Sequence, residues 1–145
     1  MTRYVAVVGP GEARAEEIAA AEAVGRGLAE AGAALVCGGL GGVMEAACRG
    51  AADSGGMTIG ILPGTERKAA NHWVAVAIPT GLGELRNGLI VRAADAVIAV
   101  GGAYGTLSEI ALALRTGVPV FGVGTWQIDG VQPVSSPEEA VARAT

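Results

Sequence analysis

Residues 94–114 have the sequence A-D-A-V-I-A-V-G-G-A-Y-G-T-L-S-E-I-A-L-A-L, and their pattern is the strongest indication of the fold. The apolar run over Ala96–Val100 predicts a buried strand, and apolar residues at helical spacing over Leu107–Arg115 predict a helix. The connection between them is rich in glycine, which suits a tight strand-to-helix turn. Such a turn leaves backbone N–H groups free at the start of a helix, so it is also a candidate anion-binding site.

The same alternation of strand and helix patterns continues on both sides of this stretch. It predicts strands over residues 4–8, 34–37, 57–62, 73–78 and 119–123, and helices over 15–31, 43–52, 84–94 and from Pro137, where Ser136 is the N-cap. In the helix over 84–94 we expect Leu85, Leu89 and Ala93 to face inward. Because the strands are apolar on both faces, we predict an α/β fold: a Rossmann-like, doubly wound parallel sheet in three α/β/α layers.

Composition limits the classes of function. The chain of 145 residues, expected to form a single domain over 1–145, is 51% hydrophobic and carries a net charge of −4 with no basic block. This argues against nucleic-acid binding, and no apolar run is long enough to span a membrane. Cys37 and Cys48 have neither metal-ligand nor disulfide spacing. We therefore expect buried, reduced thiols, a cytoplasmic protein and no metal site.

Glycines accumulate where strands of the predicted sheet end. In a parallel α/β sheet ligands bind at this carboxyl edge, and glycine lets backbone N–H groups approach them closely. The candidate phosphate- or nucleotide-binding residues there are Gly9, Gly38, Gly39, Gly41, Gly42, Met44, Gly101, Gly102, Gly105 and Thr106. Tight turns also need glycine without any ligand, and neither the dinucleotide fingerprint nor a P-loop is present.

Several polar residues near this edge have two interpretations each. Thr106 and Glu109 form T-x-x-E, which is typical of a helix capping box and also places a carboxylate beside the glycine turn. Arg86 opens the helix after the fourth strand, where it is either a surface arginine or part of the site. Tyr104 either stacks on a base or packs. His72, the one histidine, lies in a polar segment over 65–72 that we expect to be a mobile surface loop.

The longer segment R-N-G-L-I-V-R-A-A-D-A-V-I-A-V-G-G-A-Y-G-T-L-S-E, residues 86–109, resembles the core of the Lonely Guy (LOG) family, part of the SLOG superfamily of Rossmann-like proteins. LOG enzymes hydrolyse the N-glycosidic bond of cytokinin nucleoside 5′-monophosphates, which releases the free base and ribose 5-phosphate. The resemblance implies that Gly102, Gly105 and Thr106 hold the phosphate. It also implies that Arg86 and Glu109 are catalytic, with Glu109 orienting water or stabilising the oxocarbenium-like sugar.

Three features depart from the LOG pattern. Val100 replaces the proline of the motif, Asn87 replaces a lysine beside Arg86, and the chain is short. In these features the chain resembles a small branch of the superfamily that is similar to the molybdenum-cofactor carrier protein. That carrier binds a pterin phosphate and catalyses no reaction on it. We therefore expect a phosphoribohydrolase or, alternatively, a non-catalytic carrier or sensor. Its ligand would be a phosphate, nucleotide or molybdopterin near Asn87, no cofactor would be required, and the resemblance implies a homodimer.

Overall fold

A computed structural model describes the whole chain, residues 1–145. Its centre is one sheet of seven parallel strands in the order β4-β3-β2-β1-β5-β6-β7. The strands are β1 (Tyr4–Val8), β2 (Ala34–Cys37), β3 (Thr58–Leu62), β4 (Val76–Pro79), β5 (Ala96–Val100), β6 (Val120–Val123) and β7 (Val131–Pro133). The strand order reverses direction between β1 and β5, which opens a crevice at the carboxyl edge of the sheet.

Helices cover both faces of the sheet. They are α1 (Ala15–Glu30), α2 (Val43–Asp53), α3 (Asn87–Ala93), α4 (Tyr104–Arg115) and α5 (Pro137–Ala144), with short 3-10 helices at Arg67–Ala69 and Gly83–Arg86. Helices α1, α2 and α5 pack in one hydrophobic core, and α3 and α4 pack in the other. The structure thus confirms the predicted Rossmann-like fold of three layers.

The central strands contribute side chains to both cores. In β1, Val5 and Val7 face the α1 side, whereas Ala6 and Val8 face the α3 side. Burial on both faces explains why these strands read as continuous apolar runs. Because Val8 pairs with Ala99, the loops that follow β1 and β5 lie side by side at the carboxyl edge.

Several element boundaries differ from the sequence prediction, and the structure adds one strand. Helix α4 begins at Tyr104 rather than Leu107, and β4 begins at Val76 rather than Trp73. Strand β7 was not predicted at all. It is short, lies at the sheet edge and ends in Pro133, so it carries little of the apolar signal of the buried strands.

The predicted inward face of the helix over 84–94 is wrong. Leu85 is 79% exposed, Leu89 is 43% exposed and Ala93 is also exposed. The side chains that face the protein are instead those of Arg86, Asn87, Ile90 and Val91. The helix is therefore rotated relative to the prediction, and the rotation buries the two polar residues at its start.

Small residues let α1 and α2 approach closely. A Cβ on Gly25 would lie 1.9 Å from the carbonyl oxygen of Ala47, and one on Gly50 would lie 2.1 Å from that of Glu22. The alanine- and glycine-rich composition thus serves backbone-to-backbone packing of this helix pair. No helix combines the length and apolar character that crossing a bilayer requires.

Candidate functional site

A cavity of about 170 Å³ lies at the carboxyl edge of the sheet, beside the loops that follow β1 and β5. Its walls come from the end of β1, from these two loops and from the starts of α2, α3 and α4. The lining residues are Val7, Val8, Gly9, Pro10, Gly11, Met44, Arg86, Asn87, Ala103, Gly105, Thr106 and Glu109. The structure therefore brings both predicted catalytic residues, Arg86 and Glu109, into one small cavity, which we call the anion cavity.

Free backbone amides line up at the start of α4. In the first hydrogen bond of the helix, the Leu107 N–H donates to the Ala103 carbonyl (2.9 Å). Before the helix, the Gly101 N–H donates to the Val123 carbonyl (3.1 Å). Between these two bonds, the N–H groups of residues 102–106 have no acceptor within the chain. Unpaired donors and the positive end of the helix dipole together favour an anion here.

The hydroxyl of Thr106 is also without a partner. Thr106 is 1% exposed, lines the anion cavity, and its Oγ1 atom is buried with no hydrogen bond. The capping-box interpretation of T-x-x-E is wrong, because α4 begins at Tyr104 and Thr106 lies inside its first turn. A buried hydroxyl that the protein leaves unsatisfied is costly, so its place in the cavity points to a ligand as its partner.

Arg86 is held in place by backbone carbonyls. It is 9% exposed, and its Nε donates to the Ile61 carbonyl (2.9 Å) while Nη2 donates to the Gly38 carbonyl (3.4 Å). Burial lowers the pKa of Arg86, and the nearby Glu109 opposes that effect. A Cβ on Gly38 would lie 2.6 Å from Nη2, so only glycine leaves room for the guanidinium.

Asn87 links α3 to the first turn of α4. Its side-chain oxygen accepts a hydrogen bond from Nη1 of Arg86, and its Nδ2 donates to Ser108 Oγ (3.2 Å). Ser108 Oγ in turn donates to the Gly105 carbonyl (2.7 Å). At the position where the LOG pattern has a lysine, this chain therefore has a buried amide that orients Arg86 and braces the helix start.

Glu109 lies one turn further along α4 and is 8% exposed. Desolvation raises the pKa of Glu109 to about 8, and the positive charge of Arg86 offsets this only in part. The carboxyl group is therefore mainly protonated at neutral pH. In that form it can donate a hydrogen bond to an anion instead of repelling it.

Several predicted glycines shape the loops without lining the anion cavity. Gly39, Gly42 and Gly101 have φ values of 77°, 65° and 68°, which favour glycine. A Cβ on Gly42 would lie 2.2 Å from the Pro10 carbonyl oxygen, so the loops after β1 and β2 pack together only without a side chain there. Gly38 and Gly41 likewise lie outside the cavity lining, and Gly102 lines a neighbouring cavity.

The structure also adds to the sequence prediction. The cavity is also lined by residues that were not among the predicted binding residues, namely Val7, Val8, Pro10, Gly11 and Ala103. The turn sequence G-P-G at residues 9–11 was the one local signal for Pro10 and Gly11. Tyr104 is 84% exposed and stacks near Trp126 (ring centroids 6.3 Å apart) outside the anion cavity.

The polar segment over 65–72 contains a short 3-10 helix and contacts the loop after β2. The N–H of Asn71 donates to the Gly39 carbonyl (2.8 Å), and its Nδ2 donates to the Leu40 carbonyl (2.9 Å). His72 is exposed, as expected.

Cys37 and Cys48 are buried free thiols, as expected, with Sγ atoms 3.4 Å apart. The chain has no cluster of three metal-ligating His, Cys, Asp or Glu side chains.

Comparison with known proteins supports the fold and shows the family. The molybdenum cofactor binding protein from Rippkaea orientalis superposes with a TM-score of 0.94 at 37% identity, covering 99% of this chain and 95% of the other. The molybdenum cofactor carrier protein MCP from Chlamydomonas reinhardtii gives 0.91 at 31% identity, covering 99% and 96%. A protein of Archaeoglobus fulgidus is 44% identical over 138 residues, which are 94% of this chain and 91% of the relative. The sequence profile of the SLOG cluster4 family matches residues 2–145, and the chain belongs to that family.

Proposed function

We propose that this protein is a carrier that binds a phosphorylated pterin of the molybdenum-cofactor type by its phosphate group. The observation that carries the proposal is the set of unpaired donors at the anion cavity: the backbone amides of Ala103, Gly105 and Thr106, which line it, and the buried hydroxyl of Thr106. The two similar proteins named for the molybdenum cofactor support the choice of ligand. The molybdenum cofactor is a phosphate monoester, so its phosphate matches these donors.

Each residue of the anion cavity has a role in this proposal. The α4 amides and the Thr106 hydroxyl donate to the phosphate oxygens, and Arg86 supplies positive charge from a side chain already fixed by the Ile61 carbonyl. Glu109 remains neutral below pH 8 because desolvation raises its pKa to about 8. Binding of a phosphate is therefore expected to weaken as the pH rises above that value.

The direct test is the variant Thr106→Val, which keeps the shape of the side chain and removes its hydroxyl. We expect it to be at least as stable as the parent protein, because the hydroxyl is buried without a partner. Its affinity for inorganic phosphate, measured by calorimetric titration, should fall about tenfold, since a hydrogen bond to a charged group is lost.

Thr125→Val is the matched control for that test. Thr125 Oγ1 is also buried without a hydrogen bond, but Thr125 does not line the anion cavity. Its replacement should leave phosphate affinity unchanged. Equal affinity in Thr106→Val and the parent protein would contradict the assigned role of the hydroxyl.

The cargo is tested on protein purified without oxygen from cells that make the molybdenum cofactor. We expect bound molybdenum, measured by plasma mass spectrometry, together with pterin fluorescence after oxidation. Both signals should decrease in Thr106→Val. Pterin and molybdenum at background level, in protein that still binds phosphate, would reject this cargo and retain the anion site.

A second candidate is the phosphoribohydrolase activity that the LOG resemblance implies, and it is favoured by the common cavity of Arg86 and Glu109. We rank it second because a glutamic acid with a pKa of about 8 is mainly neutral at pH 7 and cannot stabilise an oxocarbenium-like charge well. Incubation with AMP and with cytokinin monophosphates, followed by chromatography of the free base, tests it. Base release above that of a Glu109→Gln control would establish hydrolysis and displace the purely non-catalytic proposal.

We also propose a homodimer that does not bind nucleic acid. The outer faces of α3, of the 3-10 helix before it and of α4 expose Leu85, Leu89, Tyr104 and Leu112. Three of these, Leu85, Tyr104 and Leu112, line a cavity of about 630 Å³. Such a cluster of exposed apolar side chains favours packing against a second copy of this chain.

The net charge of −4 disfavours binding to the phosphate backbone of nucleic acid. A filter-binding assay at low salt would test this expectation.

A further inference from the structure

A second cavity of about 490 Å³ adjoins the anion cavity on the α1 side of the sheet, and we call it the Trp126 cavity. It is lined by Pro10, Glu12, Arg14, Glu17, Gly102, Ala103, Gly124, Thr125 and Trp126. The two cavities share Pro10 and Ala103, which lie on the loops after β1 and β5. A ligand whose phosphate occupies the anion cavity can therefore extend across the crevice into the Trp126 cavity.

The Trp126 cavity contains a buried carboxylate. Glu17 is 8% exposed, its Oε1 accepts the Arg14 N–H (2.9 Å) and its Oε2 accepts from Arg14 Nη2 (3.3 Å). These hydrogen bonds lower the pKa of Glu17, so it is ionised at neutral pH. A carboxylate has about four acceptor positions, so Arg14 leaves part of that capacity for a ligand.

The remaining walls suit a flat polar ring. Trp126 Nε1 donates to the Ala103 carbonyl (3.1 Å), which fixes the indole beside the cavity. Gly102 lies against the same indole, since a Cβ there would be 2.9 Å from Nε1. Thr125 adds a buried hydroxyl without a partner. An aromatic surface, a carboxylate and an unpaired hydroxyl together match a heterocycle with several N–H donors.

We infer that the Trp126 cavity binds the ring end of the ligand and that Glu17 selects a 2-amino-4-oxopyrimidine edge, the edge that pterins and guanine share. This edge presents a ring N–H beside an exocyclic amine, and one carboxylate accepts from both. Adenine presents a ring acceptor beside its amine and hypoxanthine lacks the amine, so neither satisfies the carboxylate in this way. The inference rests on the proposed phosphate site and assigns Glu17 as the specificity-determining residue.

The test compares ligands that share a phosphate and differ in the ring. Inorganic phosphate, GMP, IMP and AMP are titrated calorimetrically into the protein at one salt concentration. We expect GMP to bind about tenfold more tightly than IMP or AMP, because hydrogen bonds to a charged acceptor are gained. In Glu17→Gln this preference should disappear while the affinity for inorganic phosphate stays within twofold of the parent value.

Two comparisons keep the test decisive. Glutamine at residue 17 can still accept the Arg14 N–H, so circular dichroism should show a folded variant. Glu16→Gln alters an exposed carboxylate that also contacts Arg14 (3.0 Å), and it should retain the preference for GMP. If Glu17→Gln does not fold, the preference of the parent protein for GMP over IMP decides alone.

The outcomes separate this inference from the proposed function. Binding of phosphate with equal affinities for GMP, IMP and AMP would overturn the ring site and leave the phosphate site intact. A preference for GMP that survives in Glu17→Gln would overturn the role of Glu17. Binding of neither phosphate nor nucleotides would overturn both proposals.

Discussion

Glu109 shows how burial changes the chemistry of a single residue. The sequence places it correctly beside the glycine turn, and the LOG resemblance implies an ionised carboxylate. Its pKa of about 8 instead gives a neutral group at pH 7, because the desolvation of the carboxylate outweighs the attraction of Arg86. This difference depends on packing around residue 109, which no local sequence pattern reports.

The protonation of Glu109 predicts a measurable pH dependence of stability. The folded protein holds this proton up to about pH 8, whereas the unfolded chain releases it near 4.5. Raising the pH between these values therefore lowers the free energy of unfolding, by up to about 1.4 kcal/mol per pH unit from this group. Urea unfolding of the parent protein and Glu109→Gln at several pH values measures it, and parallel pH profiles would contradict the assignment.

The individual site residues were predictable to different degrees. Arg86, Glu109 and Thr106 lie in one cavity, in line with the motif that they share with the LOG family. The roles of Asn87 and Gly38 were not predictable, because they depend on contacts with Arg86 that join separate strands and helices. Gly38 was identified from the glycines at the strand ends and Asn87 from the LOG resemblance, and the structure shows their contacts.

Among the helices and strands, α3 is the one whose buried face was predicted wrongly. Its helical period was recognised, but Leu85 and Leu89 were placed inward because apolar residues normally face the core. The inward face instead carries Ile90 and Val91, which are fully buried, together with Arg86 and Asn87. The polar groups of Arg86 and Asn87 have carbonyl and hydroxyl partners there. Because α3 has apolar residues on both sides, its sequence pattern alone did not determine which side faces the core.

The packing of α1 against α2 predicts a strong effect of a single methyl group. In Gly25→Ala the new Cβ would lie 1.9 Å from the Ala47 carbonyl oxygen, which belongs to the backbone and cannot rotate away. We expect the free energy of unfolding to fall by about 1–3 kcal/mol or more, as for other overpacked sites.

Gly27→Ala on the same helix is the control for that prediction. Its Cβ would contact a methyl group of Val141 at 3.0 Å, and that side chain can adjust. Chemical denaturation should therefore show a much smaller change. Equal stabilities of the two variants would show that the α1–α2 contact is looser than described.

For the whole molecule, the sequence was most informative about the sheet. Apolar runs alternating with helices predicted the parallel, doubly wound architecture, and the family comparison agrees. Strand β7 was not predicted, because an edge strand needs little apolar character and so gives a weak sequence signal. The crevice between β1 and β5 follows from the strand order, whereas its division into the anion cavity and the Trp126 cavity depends on the loops.

The exposed apolar face of α3 and α4 predicts the oligomeric state. Light scattering should give twice the mass of one chain, and Leu85→Glu combined with Leu89→Glu should give the mass of a monomer, because charge would be buried at the interface. Met57→Glu changes an exposed apolar side chain elsewhere (49% exposed) and should leave the dimer intact. A monomeric parent protein would refute this assembly.

We infer that the free amides at the start of α4 bind a small anion, and an NMR titration of labelled protein with inorganic phosphate is the decisive test. We predict that the amide signals of Gly102, Ala103, Tyr104, Gly105 and Thr106 shift together and saturate with one dissociation constant. Those of α5, on the far side of the opposite core, should not move. Saturating phosphate that leaves the signals of residues 102–106 unchanged would contradict the claim.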